Sequence, residues 1–476
     1  MSSPTVKHKL ADFLLVLKQL PGQVWILLVL HMLDGFSYFA ISTNLTIYLT
    51  TNFDVDDVTA GVYYGIWGAL LVAFGIPTGF LIDRLGIKTS MIVGAVFNAI
   101  SRTIFALSDN LEIALAALFI GTTIGAGFFI SVVHVALNRY TENDQRHSSV
   151  GFALLYTFMN IGAIAAMIGT DIALDMTLFF EGYRLLFVMG AAASIISLVI
   201  VVVFPAKNTG GTPEPEPDEP VTLGACCRIM MEGDFWRLIG LNVFCIGVRS
   251  MFRHWETLLP KWLTRVYPGV HYGTLLSLNP ILIILSTPII GSLTQHVKYV
   301  YWILVIGTLF SALSPIPPWF WITESTAPIV LSICIFTLLG EAVYSPKLGQ
   351  ITLERSPKGK KGIYSGLIPI PYFAGNIFSG LFSGWLLDTY CPELDYGSEE
   401  LLSNTTLSGS FSTEAEWDPM RAYQCSKVWG WILASAITSP ILLTIFYRVL
   451  NKKETVEQSY SRFREEAEMD EFSDEH

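Results

Sequence analysis

Gly79-Phe80-Leu81-Ile82-Asp83-Arg84-Leu85-Gly86-Ile87-Lys88 is the stretch on which the reading of this chain turns. It holds Asp83, Arg84 and Lys88 at the junction of two long apolar runs, 58–82 and 87–108. A helix rising 1.5 Å per residue needs about 20 apolar residues to cross roughly 30 Å of hydrocarbon, and each run is long enough. Working outward, further runs stand at 23–50, 112–137, 148–171 and 184–204, then at 236–262, 271–294, 298–318, 326–346, 363–388 and 427–449. The pattern predicts an all-α integral membrane protein with about twelve transmembrane helices.

The gap at 205–235 contains the acidic, Pro-rich GTPEPEPDEP (211–220) and then an amphipathic run, which reads as a solvated linker followed by an interfacial helix. It divides the chain into two six-helix halves, 23–204 and 236–449, flanked by an N-terminal segment 1–22 and a tail 450–476. Composition agrees. Of 476 residues 52% are hydrophobic and only 14% charged, and the mean hydropathy is +0.51. Soluble domains carry nearer a quarter charged residues. The net charge of −11 resides wholly in residues 211–220 and 454–476, which contribute −4 and −7. No basic footprint remains for nucleic acid. The tail is too acidic to pack and is expected to be disordered.

Basic residues set the expected orientation. Turns near 51–57, 109–111, 172–182 and 319–325 hold no Lys or Arg, whereas the alternate turns hold Arg84 and Lys88, Arg139 and Arg146, Lys298, and Arg355 to Lys361. Both termini then face the cytoplasm. The sequon Asn404-Thr405-Thr406 falls in the 389–426 loop on the opposite face, where Cys391 and Cys425 can pair in an oxidising compartment. Tyr460-Ser461-Arg462-Phe463 fits a sorting signal for a trafficking adaptor. Together these features point to the plasma or endolysosomal membrane of a eukaryotic cell.

The opening stretch resembles the G-x-L-x-D-R-x-G-x-K loop of the major facilitator superfamily, at that family's position between spans two and three. The resemblance implies a conformational latch built on Gly79, Asp83, Arg84, Gly86 and Lys88. Gly79 would permit close helix packing, Asp83 would bind amides or bases across the interface of the halves, and Arg84 and Lys88 would meet lipid phosphates. A faded copy, Gly291-Ser292-Leu293-Thr294-Gln295-His296, stands at the equivalent place in the second half, as internal duplication requires.

Other spans are similar to the proton-coupled oligopeptide (peptide/nitrate) transporter family. The similarity lies in Leu278-Asn279-Pro280-Ile281-Leu282-Ile283-Ile284, Gly340-Glu341-Ala342-Val343-Tyr344-Ser345-Pro346, Ala374-Gly375-Asn376 and Phe152 to Gly162. Two of that family's signatures are altered. Its E-x-x-E-R-F-x-Y-Y motif reads His31-Met32-Leu33-Asp34-Gly35-Phe36-Ser37-Tyr38-Phe39, and its fourth-span Lys is Ile130. The basic residues that would meet a peptide carboxylate are missing.

Charges at bilayer depth cost at least about 2.5 kcal/mol each and mark function by default. Arg249, Arg253 and Glu256 share one face of span seven, which either lines a cavity or holds an Arg253–Glu256 gate pair. Glu341 in span ten is a carboxyl able to take up and release a proton, or a latch to an Arg of span seven. His31 and Asp34, one helical turn apart, are the other candidates for proton coupling. Arg102 is expected to anchor at the outer interface. Tyr38, Asn160, Asn279 and Asn376 are candidate ligand hydrogen-bond donors beside Arg249, Arg253 and Glu341, with interhelical structural bonds the alternative for the asparagines.

The sequence thus predicts a two-half alternating-access carrier of a small organic anion or zwitterion, proton-coupled or a plain facilitator, bound by lipid and needing no cofactor or metal. A membrane scaffold or sensor that has kept the fold is the reading from another class. No HExxH, His cluster or filter-like repeat points to an enzyme or channel. Oligomeric state is not legible.

Overall fold

The computed structural model describes residues 15–141, 145–176, 179–180, 182–203, 230–294, 299–355, 370–393 and 417–450. Asn404, Tyr460 to Phe463, Lys298 and most of the 205–235 linker lie outside the described residues, as do the side chains of Gly79 and Asp83. The first half comprises α1 (Gly22–Phe53), α2 (Asp57–Leu85), α3 (Ile87–Leu107), α4 (Leu111–Thr141), α5 (Gln145–Asp175) and α6 (Gly182–Val203). The second comprises α7 (Gly233–Phe244 and Ile246–Thr257), α8 (Tyr272–Gly291), α9 (Val300–Phe320), α10 (Ala327–Thr352), α11 (Ile370–Tyr390) and α12 (Pro419–Ile445). Ten of these are long and apolar enough to span a membrane, and the bent pair of α7 makes an eleventh. The remaining helix, α11, stands where the eleventh span was predicted and buries a face of Gly375, Asn376, Ser379, Gly380, Ser383 and Gly384.

The bend in α7, 46°, has an identifiable cause. Ser439 of α12 inserts its hydroxyl into the backbone ladder, accepting from the Val248 N–H at 2.9 Å. A side chain entering the i→i−4 ladder kinks a helix in this way. Gly247 allows the approach, since a Cβ there would stand 2.6 Å from the Ser435 carbonyl.

The halves repeat one another in detail. Both α4 and α10 contain a π-helical turn, Ala117–Thr122 and Ile335–Glu341. In each, a glycine of the turn packs against a serine of the preceding helix: Gly121 on Ser101 of α3, Gly340 on Ser311 of α9. In each, a threonine of the turn bonds to the second helix of its half: Trp67 Nε1 donates to Thr122 Oγ1 at 3.0 Å, and Asn279 Nδ2 to Thr337 Oγ1 at 2.9 Å. π-Turns of this kind gather at functional sites.

Contact between the halves is concentrated towards one face, the one bearing the turns at 54–56 and 267–271 and the Cys391–Cys425 disulfide. There α2 and α11 meet backbone to backbone: Gly61 lies on the Gly380 carbonyl, and a Cβ on Gly65 would be 2.9 Å from the Ile377 Cα. Asp57 at the start of α2 pairs with Lys261 at 2.8 Å and Arg265 at 2.7 Å, beyond the end of α7. Asp171 of α5 caps the start of α8, accepting from the N–H groups of Gly273 at 2.9 Å and Thr274 at 2.6 Å. Towards the opposite, basic face the contacts fade, and Gly75, Gly291 and Gly349 have open space where a Cβ would stand. The halves therefore close on the disulfide face and part on the basic one.

Replacing Asp57 with Ala leaves Lys261 unpaired and Arg265 with only Glu393, at 3.3 Å, a loss of roughly 3–5 kcal/mol from the closed arrangement. A cysteine at Met167, beneath this closure, should then react faster with an impermeant thiol reagent applied from the disulfide face. An unchanged labelling rate would show that Asp57 does not hold the halves shut.

Candidate functional site

Between the halves lies a cavity of about 360 Å³. Glu341 ends the π-turn of α10 and lines the cavity. One carboxylate oxygen accepts from Asn279 Nδ2 at 3.1 Å, and no cation lies within ion-pair distance among the described residues. Arg249 of α7 also lines the cavity, with its guanidinium 4.1 Å from the ring centroid of Tyr372. It too has no carboxylate partner among the described residues. A cation over an aromatic face is partly stabilised without a carboxylate, so its charge is not cancelled before an anion arrives. Of the two alternatives for Glu341, the latch to an Arg of α7 does not form among the described residues. The two charges stand apart in one cavity, each without its own counter-ion.

Arg253, one turn along α7, is committed differently. It pairs with Glu256 at 2.7 Å, donates from Nε to Asn376 Oδ1 at 3.2 Å, and reaches Tyr38 and Tyr64 of the first half at 3.2 and 3.3 Å. Glu256 in turn accepts from Ser42 at 3.1 Å and Tyr64 at 2.5 Å. Arg249, Arg253 and Glu256 of α7 therefore divide, with Arg249 facing the cavity and Arg253 with Glu256 forming its roof and joining the halves. Arg253 still keeps 24% of its side chain exposed.

The polar neutral candidates follow the same division. Asn160 lines the cavity and spends only Nδ2, on the Tyr156 carbonyl of its own helix at 2.8 Å. Asn279 is shared between Thr337 and Glu341 and positions that carboxylate. Asn376 is fully engaged, accepting from Arg253 and donating to the Gly68 carbonyl at 2.9 Å. Tyr38 stands behind Arg253, stacked on Trp67.

Two expectations about the first half are corrected. Arg102 is not an interface anchor: it is 4% exposed and bonds Asp34 and Ser194, at 2.8 and 2.9 Å. Asp34 accordingly finds its partner on α3, with Asn98 adding a bond at 3.3 Å, rather than in His31. His31 lies edge-on to His134 of α4, with ring centroids 5.7 Å apart, and its Nδ1 has no hydrogen-bond partner. The sequence concealed both pairings because each joins α1 to a helix distant along the chain.

In the opening motif, Gly86 has φ +78° and ψ 162°, ending α2 with its N–H on the Ile82 carbonyl at 2.8 Å and starting α3 with its own carbonyl. That backbone conformation is essentially restricted to glycine. Arg84 is exposed and Lys88 half-buried beside it.

A two-half helical bundle with a polar cavity at the junction of its halves is the architecture of a secondary carrier. The model of the Major Facilitator Superfamily matches residues 27–380, and the chain belongs to that superfamily. It is a multi-pass membrane transporter of this kind. It is 25% identical over 383 residues to the inner membrane transport protein YajR of Escherichia coli, covering 78% of this chain and 79% of that one. It is 22% identical over 201 residues to the dipeptide and tripeptide permease A of Proteus mirabilis, covering 41% and 40%. In fold it is similar to a POT family transporter solved with a thioalcohol-conjugated peptide (TM-score 0.69, 17% identity, 90% and 97% covered). A POT family transporter solved with 5-aminolevulinic acid gives a TM-score of 0.68 at 16% identity over the same shares.

Replacing Asp34 with Ala strands Arg102 as a buried cation and should cost roughly 3–5 kcal/mol of stability, since removing one partner of a buried pair leaves the other uncompensated. The accompanying Arg102→Met change should recover part of that loss. Thermal unfolding of the single and double variants checks this, and additive losses would mean that the pair is not coupled.

Proposed function

We propose that this transporter carries a small organic anion or zwitterion, amino-acid- or peptide-like, by alternating access, with a proton moving alongside through Glu341. The observation that carries the reading is the placement of Arg249 and Glu341 in one cavity, neither with a counter-ion among the described residues. Unpaired opposite charges at membrane depth are costly. A ligand bearing an anionic and a cationic group would relieve both. The solved POT transporters with a bound peptide and with 5-aminolevulinic acid support that substrate class by analogy.

The basic turns support a cytoplasmic location for both termini, so that the cavity opens inward and the disulfide face is extracytoplasmic. His31 beside His134 is the second candidate proton holder. Asp34 is assigned to packing through Arg102. The sequon at Asn404, the sorting signal at Tyr460 to Phe463 and a eukaryotic plasma or endolysosomal membrane remain part of the proposal.

A ligand that binds the folded state raises its apparent stability by mass action, by about 2.7 kcal/mol at a hundred times Kd. Purified protein screened thermally against amino acids, dipeptides, carboxylates, nitrate, nucleosides and sugars should respond to a carboxylate-bearing compound. The response should vanish in Arg249→Ala and in Glu341→Gln. A sugar or nucleoside response indifferent to both changes overturns the substrate class.

Proteoliposome uptake should rise with an imposed inward proton gradient and fall to background in Glu341→Gln, which removes the ligand contact and the proton site together. Wild-type uptake that follows the substrate gradient alone would leave an uncoupled facilitator.

A further inference from the structure

Among the described residues, every Arg or Glu that lines the cavity belongs to the second half: Arg249 and Arg253 from α7 and Glu341 from α10. The first half contributes Phe39, Val72, Met159, Ala163 and Met167, and among the described residues its polar lining comes from the neutral Tyr156 and Asn160. Its own charges are spent elsewhere, Asp34 on Arg102 inside the half and Asp57 on Lys261 and Arg265 at the closure.

The reason is built into the backbone. At Gly35 a Cβ would stand 2.9 Å from the Met159 carbonyl, and at Gly162 it would stand 2.7 Å from the Phe36 N–H nitrogen. Helices α1 and α5 touch there, main chain to main chain, so no side chain of any length can project from position 35. Ile130 of α4 supplies no charge either. The cavity therefore has one wall that reads charge and one that reads apolar surface.

We infer that the ligand is a single amino acid with a large apolar side chain, its ammonium and carboxylate both held by the second half and its side chain packed on the first. This rests on the zwitterion reading of the preceding subsection. A longer zwitterion with its charges at opposite ends, such as an extended peptide, would press one terminus against Met159 and Met167, where only the neutral Tyr156 and Asn160 stand and no opposite charge answers it. Burying an unanswered charge is far costlier than leaving it in water. A compact α-amino acid places both charges on one carbon, a geometry that suits a single wall, and turns its apolar body away from them.

The test uses the full chain, purified in detergent for thermal shift and in proteoliposomes for uptake. Probes are leucine, phenylalanine, lysine, glutamate, phenylalanine amide, N-acetylphenylalanine and the dipeptide Phe-Ala. Leucine and phenylalanine should stabilise the protein, with at least tenfold weaker responses from lysine, glutamate, the amide, the N-acetyl compound and the dipeptide. In Arg249→Ala, phenylalanine should fall to the level of its amide. In Glu341→Gln it should fall to the level of its N-acetyl form.

The decisive variant is Met159→Glu, which puts a carboxylate on the apolar wall and should move the leucine-to-lysine preference at least tenfold towards lysine. Val72→Glu serves the same purpose where Met159→Glu does not fold, and the unliganded melting temperature reports which variant is usable. A dipeptide that binds more tightly than either amino acid, or a leucine-to-lysine ratio unmoved by a folded wall variant, overturns the inference and leaves the zwitterion class standing. The absence of any carboxylate response sinks both.

Discussion

Where α2 passes α11 the two backbones touch, and hydrogen is the largest side group that fits at Gly61, Gly65 and Gly380. Within a bilayer, lipid tails are as apolar as any side chain, so helices associate through close packing and polar contacts rather than by escaping water. The glycines permit that packing. It brings Asn376 of α11 within reach of the Gly68 carbonyl, and Asn376 then fixes the Arg253 guanidinium against Tyr38 and Tyr64. Closing the halves along this seam forces the cavity to open on the basic face, because a pair of rigid halves hinged near one edge must part at the other.

The buried charges sort by whether they have been neutralised. Asp34 with Arg102, Asp57 with Lys261 and Arg265, and Glu256 with Arg253 are pairs, and each ties one helix to another or braces a helix end. Asp171 and Lys347 are buried without an ion pair but are held by hydrogen bonds, whereas Arg249 and Glu341, which line the cavity, have no counter-ion among the described residues. A pair that is satisfied internally contributes to one arrangement of the helices, whereas a charge left without a partner gains most when a ligand arrives. This distinction separates scaffold from site more sharply than burial does, since members of both groups are largely enclosed.

Much of this was legible beforehand. Uninterrupted apolar runs located the helices to within a few residues, as for 298–318 against Val300–Phe320. The loop Gly79 to Lys88 pointed to the family, and the structure adds that Gly86 within it has a positive φ. Glu341 and Arg249 stood out as charges without local partners. Arg102 misled, because its position late in α3 looks interfacial in sequence while its guanidinium turns back into the half towards α1 and α6. The paired π-turns left no signal in hydropathy, since a single extra residue per turn does not disturb an apolar run.

By itself the sequence determined what the bilayer enforces: which segments are apolar helices, about where they lie, and which turns carry the basic residues. Those are properties of single segments in a solvent that satisfies no backbone group, so each helix must be apolar and internally hydrogen-bonded whatever its neighbours do. Which charges are consumed and which are left for a ligand was decided only by tertiary structure. The partner of Asp34 lies 68 residues away and that of Asp57 more than 200 residues away. Such pairings depend on helix rotation and depth, which are set by packing at Gly35, Gly61 and Gly380 and not by any local pattern.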